Sequence, residues 1–402
     1  MTTLLVAGAS LAGLTAAEAL RRNGYDDQLV VVDPSPELPP DRPPLSKQVL
    51  AGAWEPERAA PTVAERLPEL GLDLRLGTGA AALDASTRTV TLSDGSTLQP
   101  DGIVLAVGAS PRRLPGEQPA GVHVLRTMED CLALRAELEA GPQRVVVIGA
   151  GFIGAEVAAT CRGRGLEVTL IEAAPVAMGR VLPGSIGAFV AALHLDEGVD
   201  VRLGVGVAGL EEDGDGRVRS VRLADGAEVE ADVVVVGIGV SPNVGWLDGS
   251  GLQLEDGIRC DATCLAAAGI VAAGDVASWP NPRFGEVMRV EQWENAVEQG
   301  EHAAQRLLRE LDGSGPGPDF APIPWFWSDQ YDRKIQMAGR PAASDEVEVV
   351  EGTIAERRFV ALFRRGDRCT GVLGVNRPRH VMQARMKMSD SLDWQHVSSA
   401  FS

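Results

Sequence analysis

Lysine is nearly absent from this chain: Lys47, Lys334 and Lys387 stand beside 34 arginines in 402 residues. Aromatic residues are scarce too, at 4%, with only two tyrosines. The five cysteines form no C-x-x-C pair and their number is odd, which fits neither a disulfide framework nor a zinc site. Cys260 and Cys264 have a spacing that could share a metal, but no histidine lies near them in sequence, and they read as small buried apolar residues. No apolar run approaches the roughly 18 to 20 residues that span a bilayer, and the start Met1-Thr2-Thr3-Leu4 lacks the basic flank of a secretory leader. A cytoplasmic protein is expected. Positive charge is also short: 37 Lys and Arg against 56 Asp and Glu leave −19, which argues against general binding to nucleic acid or anionic membranes.

What is present is glycine, 46 residues of it, in a chain that is 45% hydrophobic and long enough for two or three domains. The apolar strand Leu4-Leu5-Val6-Ala7 runs into Gly8-Ala9-Ser10-Leu11-Ala12-Gly13. A helix expected from Leu14 to about Asn23 follows, then a strand Leu29–Val32 ending in Asp33, 25 residues after Gly8. This is a dinucleotide fingerprint in its required context. Gly8 permits the tight turn, Gly13 lets helix and strand pack closely, and the helix N-terminus offers N–H groups to a pyrophosphate. Asp33 is placed to accept from ribose hydroxyls, and Ser10 takes the place of the middle glycine.

The same plan returns 141 residues later. Val145–Ile148 leads into Gly149-Ala150-Gly151-Phe152-Ile153-Gly154, then a helix, then Val168–Ile171 ending in Glu172. A second pair of segments, Asp101–Gly108 and Asp232–Gly239, repeats at an offset of 131 residues, each a buried strand entering a glycine turn. Ile270–Ala273 then runs into Gly274-Asp275, placing a carboxylate at the C-terminal edge of a parallel strand, where ligands of open α/β sheets bind. Two dinucleotide sites in one chain imply two dinucleotides, and the economical pair is FAD with a nicotinamide nucleotide.

With these residues in view, the chain resembles the FAD-dependent, NADH-oxidising ferredoxin reductases that serve Rieske oxygenases and haem monooxygenases. The likeness rests on Gly8–Gly13, Arg42-Pro43-Pro44-Leu45-Ser46-Lys47, Leu125-Arg126-Thr127, Gly149–Glu156, Gly237–Asn243, Ala273-Gly274-Asp275, Glu291–Ala296 and Phe326-Trp327-Ser328-Asp329-Gln330. It implies an α/β fold with two Rossmann-like domains, a discontinuous FAD domain (1–112 and 243–319) with an inserted NAD domain (113–242), and a C-terminal α+β domain (320–402). The Gly313–Pro318 run reads independently as a linker.

The resemblance also implies site residues. Leu11, Ala12 and Gly13 would hold the FAD pyrophosphate and Asp33 the adenosine ribose. Arg42, Lys47 and Arg126 would meet phosphates and flavin, and Asp275 the ribityl chain. Glu291, Gln292 and the backbone at Trp293 would take the flavin's pyrimidine edge. Gly8, Ser10 and Ala80 complete the FAD set. Gly149, Gly151, Phe152, Ile153, Gly154, Glu172, Arg180 and Gly239 would bind NADH. Lys47 and Glu156 are expected as a pair beside the flavin N5, with Trp327 at the ring. Pro40, Ser10 and Val107 depart from the family pattern without removing a charged contact.

Hydride transfer between two rings needs orientation and charge more than a side-chain acid or base. The rival reading, an NADH oxidase or thiol–disulfide reductase of the same plan, needs a redox cysteine near the flavin, and none lies between Asp33 and Lys47. A non-enzymatic signalling flavoprotein would need a basic surface that a net charge of −19 does not favour. Between Arg333 and Met388 the balance reverses to twelve Arg/Lys against six acids. That stretch is the expected docking face for an acidic [2Fe–2S] ferredoxin, tested by reversing the charge of Arg364 and Arg365; the alternative is that its arginines only solvate a small domain or pair internally. NADH is expected over NADPH, because Glu172 would repel a 2′-phosphate, with Arg180, eight residues on, as the one nearby cation that could accept such a phosphate.

Overall fold

The computed structural model describes residues 2–179 and 181–401. Arg180, expected in the NAD set, lies outside the described residues. The chain divides into two compact units, Met1–Asp41 with Ala60–Ser110 and Ser241–Pro324, and Arg42–Ala59 with Pro111–Val240 and Trp325–Ser402. Residues 42–59 fall in the first segment of the expected FAD domain, yet Leu45, Val49 and Leu50 are buried in a common core with Cys131, Leu134 and Val157 of the second unit.

The first unit is built on a six-stranded sheet in the order Leu265–Ala267, Ile270–Ala272, Gly102–Leu105, Thr3–Ala7, Gln28–Asp33, Asp73–Leu76. The central pairings are parallel, with Leu4 opposite Leu29 and Gly102. Leu4, Leu5 and Val6 have no exposed surface, as expected for parallel strands covered on both faces. The helix Leu11–Arg22 begins three residues before the expected Leu14, directly at the glycine turn. The helix Trp293–Asp312 stops where Gly313 turns left-handed (φ +72°). The two helices approach closely: a Cβ on Gly300 would lie 2.6 Å from the Ala12 carbonyl oxygen.

In the second unit a five-stranded parallel sheet runs Asp200–Leu203, Glu167–Glu172, Arg144–Ile148, Val233–Val236, Val122–His123. The C-terminal residues add an antiparallel sheet in the order Trp325–Gln330, Arg333–Gly339, Arg368–Val375, Arg358–Arg365, Glu346–Thr353. Helix Pro378–Asp390, opened by a proline whose missing N–H costs nothing there, buries Val381, Ala384 and Met388. Among the described residues no helix is long and apolar enough to cross a membrane.

Candidate functional site

Each glycine turn is held by one mechanism used twice. In the first unit the Gly8 N–H donates to Val32 O (2.8 Å), and in the second the Gly149 N–H donates to Ile171 O (2.7 Å). Asp33 Oδ2 accepts from the Ala9 N–H (2.7 Å) and Oδ1 from the Ser35 N–H (2.9 Å). Glu172 does the same with Ala150 (2.9 Å) and Ala174 (2.8 Å). A Cβ on Gly13 would sit 1.8 Å from Gly8 O, and one on Gly154 would sit 1.9 Å from Gly149 O. The third fingerprint position therefore has no room for any side chain. At the middle position the constraint vanishes, since a Cβ on Gly151 would meet nothing within 4 Å. The first copy accordingly carries Ser10 there. Ser10 makes no side-chain cap bond, which leaves the N-terminal N–H groups of helix Leu11–Arg22 without a side-chain acceptor from that position.

Asp275, Glu291, Gln292, Trp293 and Ala80, expected for FAD, belong to the same unit as the first turn, whereas Arg42, Lys47 and Arg126 belong to the second. Asp275 lies on the one-turn helix Gly274–Val276, and a Cβ on Gly274 would come 2.9 Å from the Ala12 Cβ. Arg289 donates to the Asp275 carbonyl (3.1 Å) and pairs with Glu291 (2.7 Å). Gln292 caps the long helix and Trp293 begins it, its indole N–H donating to Asp41 (2.7 Å). Ala80 starts a strand paired with Leu92. Helix N-termini at glycine turns supply N–H donors and the clamped acids supply acceptors, a combination suited to dinucleotides, so these residues fit FAD in the first unit and NADH in the second.

The second unit brings together Lys47, Glu156 and the strand that carries Trp327. Lys47 Nζ lies 2.8 Å from Glu156 Oε2, with side chains 11% and 3% exposed. Ser46 Oγ donates to the same oxygen (2.5 Å), and Ser328 Oγ donates to Oε1 (2.8 Å). Gln330 Nε2 in turn donates to Ser328 Oγ (3.1 Å). Ser46 and Ser328 lie inside the motifs that carry the resemblance, with no role expected of either. Their signal was a small hydroxyl inside an apolar run, and only the fold aims both at one carboxylate. Trp325 and Trp327, two apart on one strand, bring their rings to 5.3 Å. Arg42 and Arg126 belong to this unit, with the Arg126 N–H donating to Asp130 (3.0 Å). Gly239 follows the strand Val233–Val236, and its carbonyl accepts from the Arg112 N–H (2.9 Å).

All five cysteines are free and buried. Burial pushes the Cys131 thiol up to about 11 and those of Cys161, Cys260 and Cys369 to about 12. Cys264 is raised as well, again by burial first. Thiols held protonated in this way are poor redox nucleophiles. Among the described residues no cluster of His, Cys, Asp or Glu is arranged to hold a metal.

Residues 2–300 match the pyridine nucleotide-disulphide oxidoreductase family and residues 325–398 the reductase C-terminal family. The chain belongs to the pyridine nucleotide-disulphide oxidoreductases. It is 39% identical over 385 residues to the anthranilate 1,2-dioxygenase system ferredoxin–NAD(+) reductase component of Burkholderia cepacia, covering 95% of this chain and 92% of that one. It is 36% identical over 386 residues to rhodocoxin reductase of Rhodococcus erythropolis, covering 95% and 88%. Among solved structures it resembles the covalent putidaredoxin reductase–putidaredoxin complex, with a TM-score of 0.91, 33% identity, and coverage of 100% of this chain and 99% of that one. A water-forming NADH oxidase from Lactobacillus brevis, at 22% identity, shares the fold of this oxidoreductase family.

Proposed function

We propose that this protein is an FAD-dependent NADH:ferredoxin oxidoreductase, passing electrons singly to a [2Fe–2S] ferredoxin that serves an oxygenase. The observation that carries the reading is the duplicated, acid-clamped fingerprint joined in one chain to a reductase C-terminal module. FAD, when bound, supplies the exchange between a two-electron donor and a one-electron acceptor. Leu11, Ala12 and Gly13 offer their N–H groups to its pyrophosphate, Asp33 accepts from the adenosine ribose, and Asp275 from the ribityl chain. The N-terminus of helix Trp293–Asp312 favours negative charge at the pyrimidine edge. Arg42 and Arg126 add positive charge. Lys47, held by Glu156, and the ring of Trp327 are assigned to the flavin itself, and Gly149–Gly154 with Glu172 to NADH.

The docking face for the ferredoxin is assigned to the arginine-rich C-terminal sheet and helix. Arg364 and Arg365 are structurally engaged, however. Arg364 lies over the Trp394 ring (5.1 Å), and Arg365 pairs with the buried carboxylate of Asp345 (2.7 Å). Helix Pro378–Asp390 offers better steering charges: Arg379 and Lys387 make no ion pair among the described residues, and beside them Met386 is 69% exposed. The rival thiol–disulfide reading lacks a reactive thiol.

The test is direct. Purified protein is expected to be yellow, with about one FAD per chain held non-covalently, and to reduce a [2Fe–2S] ferredoxin with NADH. Protein that is colourless and cannot be reconstituted with FAD overturns the reading.

A further inference from the structure

We infer that Ser46 and Ser328 are positioning residues that fix the Glu156 carboxylate as an acceptor from both sides and thereby aim and immobilise Lys47. The inference rests on the assignment of Lys47 to the flavin, but its geometry stands on its own.

The order of donors and acceptors follows from counting protons. A serine hydroxyl has one proton to give. Ser328 Oγ accepts from Gln330 Nε2 (3.1 Å), which can only donate, so the Ser328 proton is left for Glu156 Oε1 at 2.8 Å. Ser46 Oγ lies 3.4 Å from Lys47 Nζ, which also can only donate, so the Ser46 proton goes to Glu156 Oε2 at 2.5 Å. Lys47 supplies the third donor, to Oε2 at 2.8 Å. Glu156 thus receives three hydrogen bonds and is required to give none.

Three separate stretches of chain meet at this carboxylate. Ser46 and Lys47 come from the short helix Leu45–Val49 in the segment 42–59, and Thr160 pins that helix by donating to the Ser46 carbonyl (2.8 Å). Glu156 comes from helix Phe152–Gly163, and Ser328 and Gln330 from strand Trp325–Gln330. Ser46, Glu156, Ser328 and Gln330 are all buried, so water does not replace a lost hydroxyl cheaply. Without either serine, Glu156 keeps its charge partner but loses its fixed orientation. Lys47 then samples positions away from the one its reaction partner needs.

The scarcity of lysine supplies a clean readout, because Lys334 and Lys387 are the only other amines on side chains and act as internal references. The protein is treated with acetic anhydride, with and without FAD, and labelling of each lysine is followed by peptide mass spectrometry. Ser46→Ala and Ser328→Ala each remove one oxygen, and Ser46→Thr restores a hydroxyl. In both alanine variants, Lys47 labelling relative to Lys334 and Lys387 is expected to rise on the order of tenfold, as for the loss of a charge-assisted hydrogen bond. Ser46→Thr is expected to return it toward wild type. In holoenzyme the same alanine variants are expected to slow NADH-driven flavin reduction in stopped flow while leaving NADH affinity unchanged, and Lys47→Ala to slow it further. Unchanged Lys47 labelling in folded Ser46→Ala and Ser328→Ala overturns the inference. Normal flavin reduction in Lys47→Ala overturns instead the assignment of Lys47 to the flavin, whatever the labelling shows.

Discussion

Asp33 and Glu172 stand in equivalent places and do the same work: each accepts from the residue after the first fingerprint glycine and from the residue two positions beyond itself. Both acids are thus fixed before any nucleotide arrives. Asp33 is 7% exposed, whereas Glu172 is less deeply buried and meets solvent.

The placement of Glu172 predicts a strong preference for NADH, since a fixed carboxylate accepts from a 2′-hydroxyl and repels a 2′-phosphate. Glu172→Gln keeps an acceptor and removes the charge. The ratio of kcat/KM for NADH over NADPH is expected to fall on the order of tenfold in that variant. An unchanged ratio would show that discrimination resides elsewhere.

The two third-position glycines allow the dinucleotide sites to be switched off separately. Gly13→Ala and Gly154→Ala each force a backbone oxygen now under 2 Å from the new Cβ to move. Overpacking of this kind costs about 1–3 kcal/mol and sometimes more. Gly13→Ala is expected to be purified with little FAD. Gly154→Ala is expected to keep its yellow colour and lose NADH affinity, read by titration of the flavin absorbance. Equal FAD content in the two variants would contradict the division of labour.

The proposed docking on the C-terminal domain predicts that ferredoxin turnover depends on salt, because exposed charges are screened beyond roughly 8 Å at physiological ionic strength. Ferredoxin KM is expected to climb as salt rises over a few-fold range. Arg379→Glu with Lys387→Glu is expected to raise it several-fold, with NADH–ferricyanide turnover unaffected. A KM indifferent to both places the docking face elsewhere.

His194 predicts an acid limb in stability. It is fully buried, its Nδ1 lies 2.8 Å from Tyr331 Oη, and burial lowers its pKa from 6.5 to about 4. Between these values the unfolded chain binds the proton and the folded chain does not, so stability falls as pH drops from about 6.5 toward 4. The full loss is about 3 kcal/mol for this one group. Urea denaturation of His194→Gln is expected to show a shallower pH slope over that window. His123 and His302, also lowered by burial, keep the slope from vanishing. A slope identical to wild type would mean His194 is not the group responsible.

Much of this protein is determined locally. A fingerprint turn is a short-range object: the strand, Gly8, Gly13 and Asp33 specify one another within 25 residues, and the copy at Gly149, Gly154 and Glu172 does so again. The backbone N–H groups that clamp the acids are seen only in the fold. The glycine positions and the terminal acids follow from the local pattern, which is why both Rossmann-like units are legible in the chain. Helix ends were less so, because the turn geometry, not the apolar pattern, starts the helix at Leu11. What only tertiary structure decided are the meetings of residues with no local relation. Ser46 and Ser328 are 282 positions apart, and nothing in either motif says that both hydroxyls share Glu156. Nor does the sequence say that residues 42–59 pack with the second unit, or that Arg365 is tied to a buried Asp345 while Arg379 is exposed. Burial and hydrogen-bond direction depend on which surfaces the fold brings into contact, and that is fixed by long-range packing.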